Sequence, residues 1–242
     1  MEVTYIGHSG FAVEFTHMIL LFDYYTGKLP EWDRNKALMV FASHSHPDHF
    51  NWRILQLYEQ YPKIHFFLGN DIRLGGKWMV IKKIPPEIKA KVTKLAGGRD
   101  IFYEEGKTAV RVCALKSTDA GVAFVVEAEG KRIYHAGDLN WWHWIGEPDQ
   151  ENEEMAKAYQ KEIDRIAGQH FDLSFVPLDP RLEEAFDWGM NYFLEKTDSP
   201  VVFPMHLWGK YDTVSKYKKN SSGQKYAGRV MDIHRGGETW SI

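Results

Sequence analysis

A continuous apolar run, Leu38-Met-Val-Phe-Ala42, leads almost directly into His44-Ser-His46-Pro-Asp48-His49. Such a run fits a strand buried on both faces, which requires other layers on either side of its sheet. Four potential ligands then emerge from the end of that strand: His44, His46, Asp48 and His49. Side chains at i, i+2 and i+4 of an extended segment point the same way. His44, His46 and Asp48 are therefore expected to face one pocket. His49 is expected to open a helix and approach from another side. Pro47 restricts the backbone between them. Crowded imidazoles disfavour one another's protonation, and a shared metal cation can take the protons' place. Imidazole combined with carboxylate suits zinc, and also iron or manganese.

Zinc–nitrogen bonds are about 2.0–2.1 Å long, so ligands must converge from more than one segment. Two later strand ends offer partners. Asp138 follows Ile133-Tyr-His-Ala-Gly137, where Gly137 permits a tight turn. His206 follows the short apolar run Val201-Val-Phe-Pro204.

The remaining pattern is layered. Strands are expected at 3–6, 11–15, 18–22, 64–68, 100–104, 108–115, 122–128, 132–135 and 173–177, and helices at 50–61, 150–167 and 182–196. The segment 71–86, interrupted by Pro85-Pro86, has no clear assignment. Two clusters of strands, each followed by helices, predict a mixed layered domain with more than a simple parallel sheet. No internal repeat or low-complexity linker divides the 242 residues.

Composition excludes some functions. With 30 basic and 33 acidic residues the net charge is −3, which gives no basic footprint for nucleic acid. The single cysteine, Cys113, rules out a disulfide within the chain and is expected to be a structural thiol in a strand. No leader-like start is visible, and no apolar run approaches the roughly 20 residues that span a bilayer. A soluble, cytoplasmic protein is expected.

The cluster His44-Ser-His46-Pro-Asp48-His49 resembles the His-x-His-x-Asp-His signature of the metallo-β-lactamase fold superfamily. Tyr5-Ile-Gly-His8-Ser-Gly-Phe11 with Leu20-Leu-Phe-Asp23 resembles the opening hairpins of its ascorbate-6-phosphate lactonase-like branch. Ile133 to Asp138 resembles the strand that supplies a bridging aspartate, and Phe203-Pro-Met-His206 the last ligand strand. The resemblance implies an α+β fold, a four-layer αββα sandwich, as one hydrolase domain over residues 1–242. It implies that His44 and His46 bind a first metal, that Asp48, His49 and His206 bind a second, and that Asp138 bridges them. Where the family places a further histidine this chain has Lys116-Ser-Thr-Asp119-Ala-Gly. Asp119 can stand in through oxygen; otherwise the first site keeps three protein ligands.

The expected activity is hydrolysis of a small-molecule ester, lactone, amide or phosphoester by a metal-bound hydroxide, with one or two divalent ions, zinc first and manganese or iron as alternatives. Asp48 is the expected catalytic residue, orienting the nucleophile or taking its proton. His8 is the leading candidate for an extra polar group near the site; its other role is a hydrogen-bonded structural histidine. Trp141, Trp142 and Trp144 can wall a pocket or pack as core, and Arg181 can meet an anion or form a surface ion pair. The alternatives are a nuclease of the same fold and a non-enzymatic metal-binding relative.

Overall fold

The computed structural model describes residues 1–242 apart from the side chain of Trp78. Thirteen strands form two sheets. The first sheet contains β1 (Glu2–Gly7), β2 (Gly10–Glu14), β3 (Met18–Phe22), β4 (Ala37–Ala42), β5 (Ile64–Gly69), β6 (Val92–Leu95) and β13 (Glu238–Ser241), in the order β13-β1-β2-β3-β4-β5-β6. The second contains β7 (Asp100–Glu105), β8 (Thr108–Lys116), β9 (Val122–Ala128), β10 (Lys131–His135), β11 (Leu173–Pro177) and β12 (Val202–Met205), in the order β12-β11-β10-β9-β8-β7. Each sheet is mixed. β3 to β6 run parallel beside an antiparallel meander, and so do β10 to β12.

Alternation along the strands builds the layers. On β4, Ala37, Met39 and Phe41 face the second sheet, while Leu38, Val40 and Ala42 face outward. The outward set is covered by Ile54 and Leu55 of a 3-10 helix (Trp52–Glu59) and by Met79 of α1 (Gly76–Ile81). On the far side the second sheet is covered by α2 (Asp149–Asp164) and α3 (Trp188–Lys196), which share its core through Tyr159, Ile163, Met190 and Phe193. This is the four-layer αββα sandwich. Phenyl rings join the sheets: Phe41 meets Phe124 at 5.3 Å and Phe11 meets Phe175 at 4.3 Å. Each such ring, fully buried, contributes about 1.5–3 kcal/mol of transfer free energy.

Two assignments differ from the sequence pattern. The helix expected over 50–61 is the shorter 3-10 helix, capped by Asn51, whose side chain accepts from Arg53 N. The helix expected over 182–196 is broken, because Glu183 takes a left-handed φ of 53°. The C-terminal region adds α4 (Asp212–Lys219) and β13, which pairs with β1 at the opposite end of the chain. Among the described residues no helix is long and apolar enough to cross a membrane. Cys113 lies partly buried on β8, and burial pushes its thiol up, away from a nucleophilic thiolate.

His65 on β5 gives the fold a pH dependence distant from the sheet edge that carries the histidine cluster. Burial holds its imidazole down at about 4, and Nε2 lies 2.8 Å from Thr93 Oγ1. The unfolded chain takes up a proton near pH 6.5, whereas the folded protein refuses it until near pH 4. The His65 contribution is therefore complete above pH 6.5 and is lost as pH falls to 4, by about 2–3 kcal/mol. Urea unfolding at pH 7 and pH 4.5 should show a smaller drop for His65→Gln than for the native protein; equal drops would contradict this assignment.

Candidate metal centre

The sheets carry their polar residues at one edge for a topological reason. β3 and β4 run parallel, as do β10, β11 and β12, so their C-terminal ends emerge together. Asp23 follows β3, the histidine cluster follows β4, Asp138 follows β10, Asp179 follows β11 and His206 follows β12. The β1–β2 turn brings His8, and the β8–β9 turn brings Asp119. Two glycines let these loops close. A Cβ on Gly137 (φ +52°) would stand 2.7 Å from Ser43 Cβ and 2.8 Å from Val122 O, and one on Gly121 (φ +68°) would overlap the Ser43 carbonyl. With both glycines present, Val122 N donates to Ser43 O at 3.1 Å and seams the two sheets together.

The six residues named as ligands from sequence converge. His44, His46 and Asp138 form one group; Asp48, His49 and His206 form another, joined by His8. Asp138 touches both. Its Oδ2 lies 3.4 Å from His44 Nε2, and its Oδ1 lies 3.0 Å from His49 Nε2 and 3.1 Å from His206 Nε2. The simple extended-strand reading, with His44, His46 and Asp48 together, is corrected. His49 N and Phe50 N both donate to His46 O, at 3.0 and 2.9 Å, so the backbone curls and carries Asp48 to the second group. Asp119 is peripheral: its Oδ2 is 3.9 Å from His46 Nδ1, both side chains are about half exposed, and it joins neither group.

Buried carboxylates fix the imidazoles. Asp23 Oδ2 is 2.7 Å from His49 Nδ1, and Asp179 Oδ2 is 2.9 Å from His206 Nδ1. An ionised carboxylate only accepts, so each Nδ1 carries a proton, which leaves each Nε2 as the atom that can take a second proton or bind a metal. Ser43 Oγ donates to Asp23 Oδ2 at 2.6 Å, so it accepts from His44 Nδ1 at 2.9 Å. His44 Nε2 is thereby the free ring nitrogen as well. His49 Nε2 and His206 Nε2 stand 3.1 Å apart. Two lone pairs at that distance repel unless a cation lies between or beside them. His44 Nε2, His8 Nε2 and Asp138 Oδ1 are buried without hydrogen-bond partners. These donors fit a divalent cation, with second-layer carboxylates in the arrangement that orients metal-binding histidines.

The electrostatics agree. Burial opposes charge on His49, yet Asp138 and Asp23 outweigh it and lift the imidazole to about 10. His206 is raised too: burial works against it, and Asp138 and Asp179 prevail. Burial alone would raise Asp138, Asp179 and Asp23, but neighbouring imidazoles, and for Asp179 also Arg181, hold all three down, Asp179 at about 2. The cluster is built around positive charge, which protons or a metal can supply. His8, Asp23, His206 and Trp208 also hold left-handed φ values of 55°, 39°, 64° and 52°. Strain of this kind, about 1–3 kcal/mol per residue, collects at functional sites.

A pocket of about 290 Å³ opens onto the groups, lined by His46, Asp48, Asp138, Trp142, Trp144 and Arg181 among others. Trp141 turns away and packs on Trp188 and Tyr192, 5.7 and 6.1 Å between ring centres. Trp208 takes the expected third aromatic place in the wall. Arg181 sits over Trp208 at 4.4 Å and donates through Nε to both oxygens of Asp179 at 3.0 Å. Sequence reasoning left Asp179 and Trp208 without a role and named Asp23 only within a hairpin. For Asp23 and Asp179 the useful signal was a polar residue just after a buried strand, the same signal that identified Asp138 and His206.

Two mixed sheets packed face to face, with a histidine–aspartate cluster at their common edge, define the metallo-β-lactamase fold. The chain belongs to the family described as the beta-lactamase superfamily domain, whose profile matches residues 2–152. It is 27% identical over 153 residues to a metal-dependent hydrolase of Pelotomaculum thermopropionicum, covering 57% of this chain and 62% of that one. The matches span about three fifths of the length of such curated relatives. Among solved structures, a metallo hydrolase of the archaeon Ignicoccus hospitalis superposes with a TM-score of 0.63 at 16% identity, over 100% of this chain and 98% of that one. A diiron β-hydroxylase of Streptomyces venezuelae superposes at 0.61 with 11% identity, over 100% of this chain and 54% of that one. One fold thus carries different chemistries, and the reaction must be argued from the site.

Proposed function

We propose that the protein is a metal-dependent hydrolase of a small-molecule ester, lactone, amide or phosphoester, with His44, His46, Asp48, His49, Asp138 and His206 holding one or two divalent ions. Zinc is the first candidate, with manganese or iron next. The observation that carries this reading is the set of three Nε2 atoms, of His44, His49 and His206, turned onto one buried carboxylate at 3.0–3.4 Å. A divalent metal bound there supplies Lewis acidity and a water acidified towards neutral pH.

The chain's own residues do the rest. Asp48 stands at the border of cluster and pocket, a quarter exposed. Burial would raise its carboxyl, but His8 and His49 pull it below the ordinary range, so it is ionised at neutral pH and suited to orient water or accept its proton. Trp142, Trp144, Met155 and Trp208 form an apolar wall that limits solvent around the reacting bond. Arg181 sets one cation at that wall. A concave pocket of this size suits a small molecule, and the net charge of −3 argues against a nucleic-acid track.

Purified protein, a chelator-treated sample and the His46→Ala variant should be assayed against esters, lactones, amides and phosphodiesters. Chelation is expected to remove at least ~100-fold of the activity, with recovery on adding metal. His46→Ala should lose activity similarly. Full hydrolysis after metal removal would end the reading; tightly held metal with no substrate cleaved would favour the non-enzymatic relative.

A further inference from the structure

His8 lies in the tight turn between β1 and β2, on a different segment from every residue assigned to metal above. Its side chain is 7% exposed, and its Nε2 is buried without a hydrogen-bond partner. That atom is aimed at the second group, 3.3 Å from Asp48 Oδ2. One ligand atom from each of His8, Asp48, His49 and His206 lies within 4.8 Å of the other three. A tetrahedral zinc with bonds of about 2.0–2.1 Å has ligands roughly 3.3–3.4 Å apart. Small side-chain movements close the observed set to that size.

The ring is also held in place. It packs 4.2 Å from the His206 ring and 4.4 Å from Trp208, centre to centre, and the His8 carbonyl accepts from His206 N at 3.4 Å. His8 and His206 thus fix one another, each on a left-handed backbone. A glycine would hold that turn without strain, so an imidazole there has a use for its side chain. Trp208 stands over it at the pocket wall, and His8 is not among the pocket-lining residues, which places it behind the second group and away from substrate.

We propose that His8 is a further protein ligand of the second metal position, with Asp48, His49 and His206 and in addition to the shared Asp138 carboxylate. The inference rests on the metal-hydrolase reading. It makes the two positions unequal. The second has four converging donors besides the Asp138 carboxylate; the first has His44, His46 and Asp138, with Asp119 outside the group. The first equivalent of metal therefore fills the second position, and the first position fills afterwards.

X-ray absorption of metal-freed protein reloaded with one equivalent of zinc counts the imidazoles directly. Three are expected in the native protein. Three are also expected in the double variant His44→Ala/His46→Ala, where only His8, His49 and His206 remain to supply them. In His8→Ala the count should fall to two, and the first zinc equivalent should bind at least ~10–100-fold more weakly, the range already seen for residues that only orient a ligand. Two imidazoles in the native protein or in the double variant would overturn the proposal, with or without a folded His8→Ala protein. Failure of the native protein to hold zinc at all would instead overturn the metal reading.

Discussion

Asp138→Asn is expected to lose about 10³–10⁴-fold in kcat/KM and most of the bound metal, while keeping its fold. The reason is position. Asp138 is the one side chain common to both groups, with Oδ2 towards His44 and Oδ1 towards His49 and His206. It is 4% exposed, so its charge is little screened by water. The amide keeps the shape and one acceptor but removes the anion and adds an N–H₂ donor that cannot bind a cation. Transition-state stabilisation by a metal amounts to several kcal/mol, and about 4–5.5 kcal/mol corresponds to the stated loss. Metal content by elemental analysis and kcat/KM should fall together. A variant that retains its metal and stays within tenfold of the native rate would show that the convergence on Asp138 has no catalytic meaning.

Much of this arrangement was legible in the sequence because burial writes a strong signal. Leu38 to Ala42 has no polar residue, so it had to be an interior strand, and whatever follows an interior strand surfaces at a sheet edge. The same logic located Asp138 after β10 and His206 after β12. Direction was less legible. The alternation that holds along the strand ends after Ala42, and hydrogen bonds from His49 N and Phe50 N to His46 O curl the chain further on, so Asp48 parts from His44 and His46. The supporting carboxylates were least legible. Nothing local to Asp23 or Asp179 states that each will meet a histidine brought by another strand; that is a product of the parallel order of β3–β4 and β11–β12. His8 is intermediate: its sequence placed it near the site, and only the unpartnered Nε2 shows where it points.

Asp23 should matter nearly as much as a ligand, although it reaches no metal. It is fully buried and accepts three hydrogen bonds, from Ser43 N at 2.7 Å, Ser43 Oγ at 2.6 Å and His49 Nδ1 at 2.7 Å. Through His49 it sets the second group, and through Ser43 and His44 it sets the first. Asp23→Asn keeps the volume but can offer an N–H₂ where both Ser43 Oγ and His49 Nδ1 need an acceptor. His49 is then driven to the other tautomer, with its proton on the nitrogen that should carry the lone pair. Metal affinity is expected to fall by about 10–100-fold, in both equivalents. Asp179→Asn provides the contrast. Asp179 orients only His206, so its loss should weaken only the equivalent held by the second group. Asp23→Ala goes further, leaving Ser43 N and the buried histidines without their anion, and should cost about 3–5 kcal/mol of folding stability. Calorimetric zinc titration of the two asparagine variants separates these cases. If Asp23→Asn weakened one equivalent alone, or Asp179→Asn weakened both, the routing of two groups through one buried carboxylate would be wrong. The opposite pattern follows from Asp23 lying between Ser43 and His49, where a single anion decides which nitrogen of each imidazole is free.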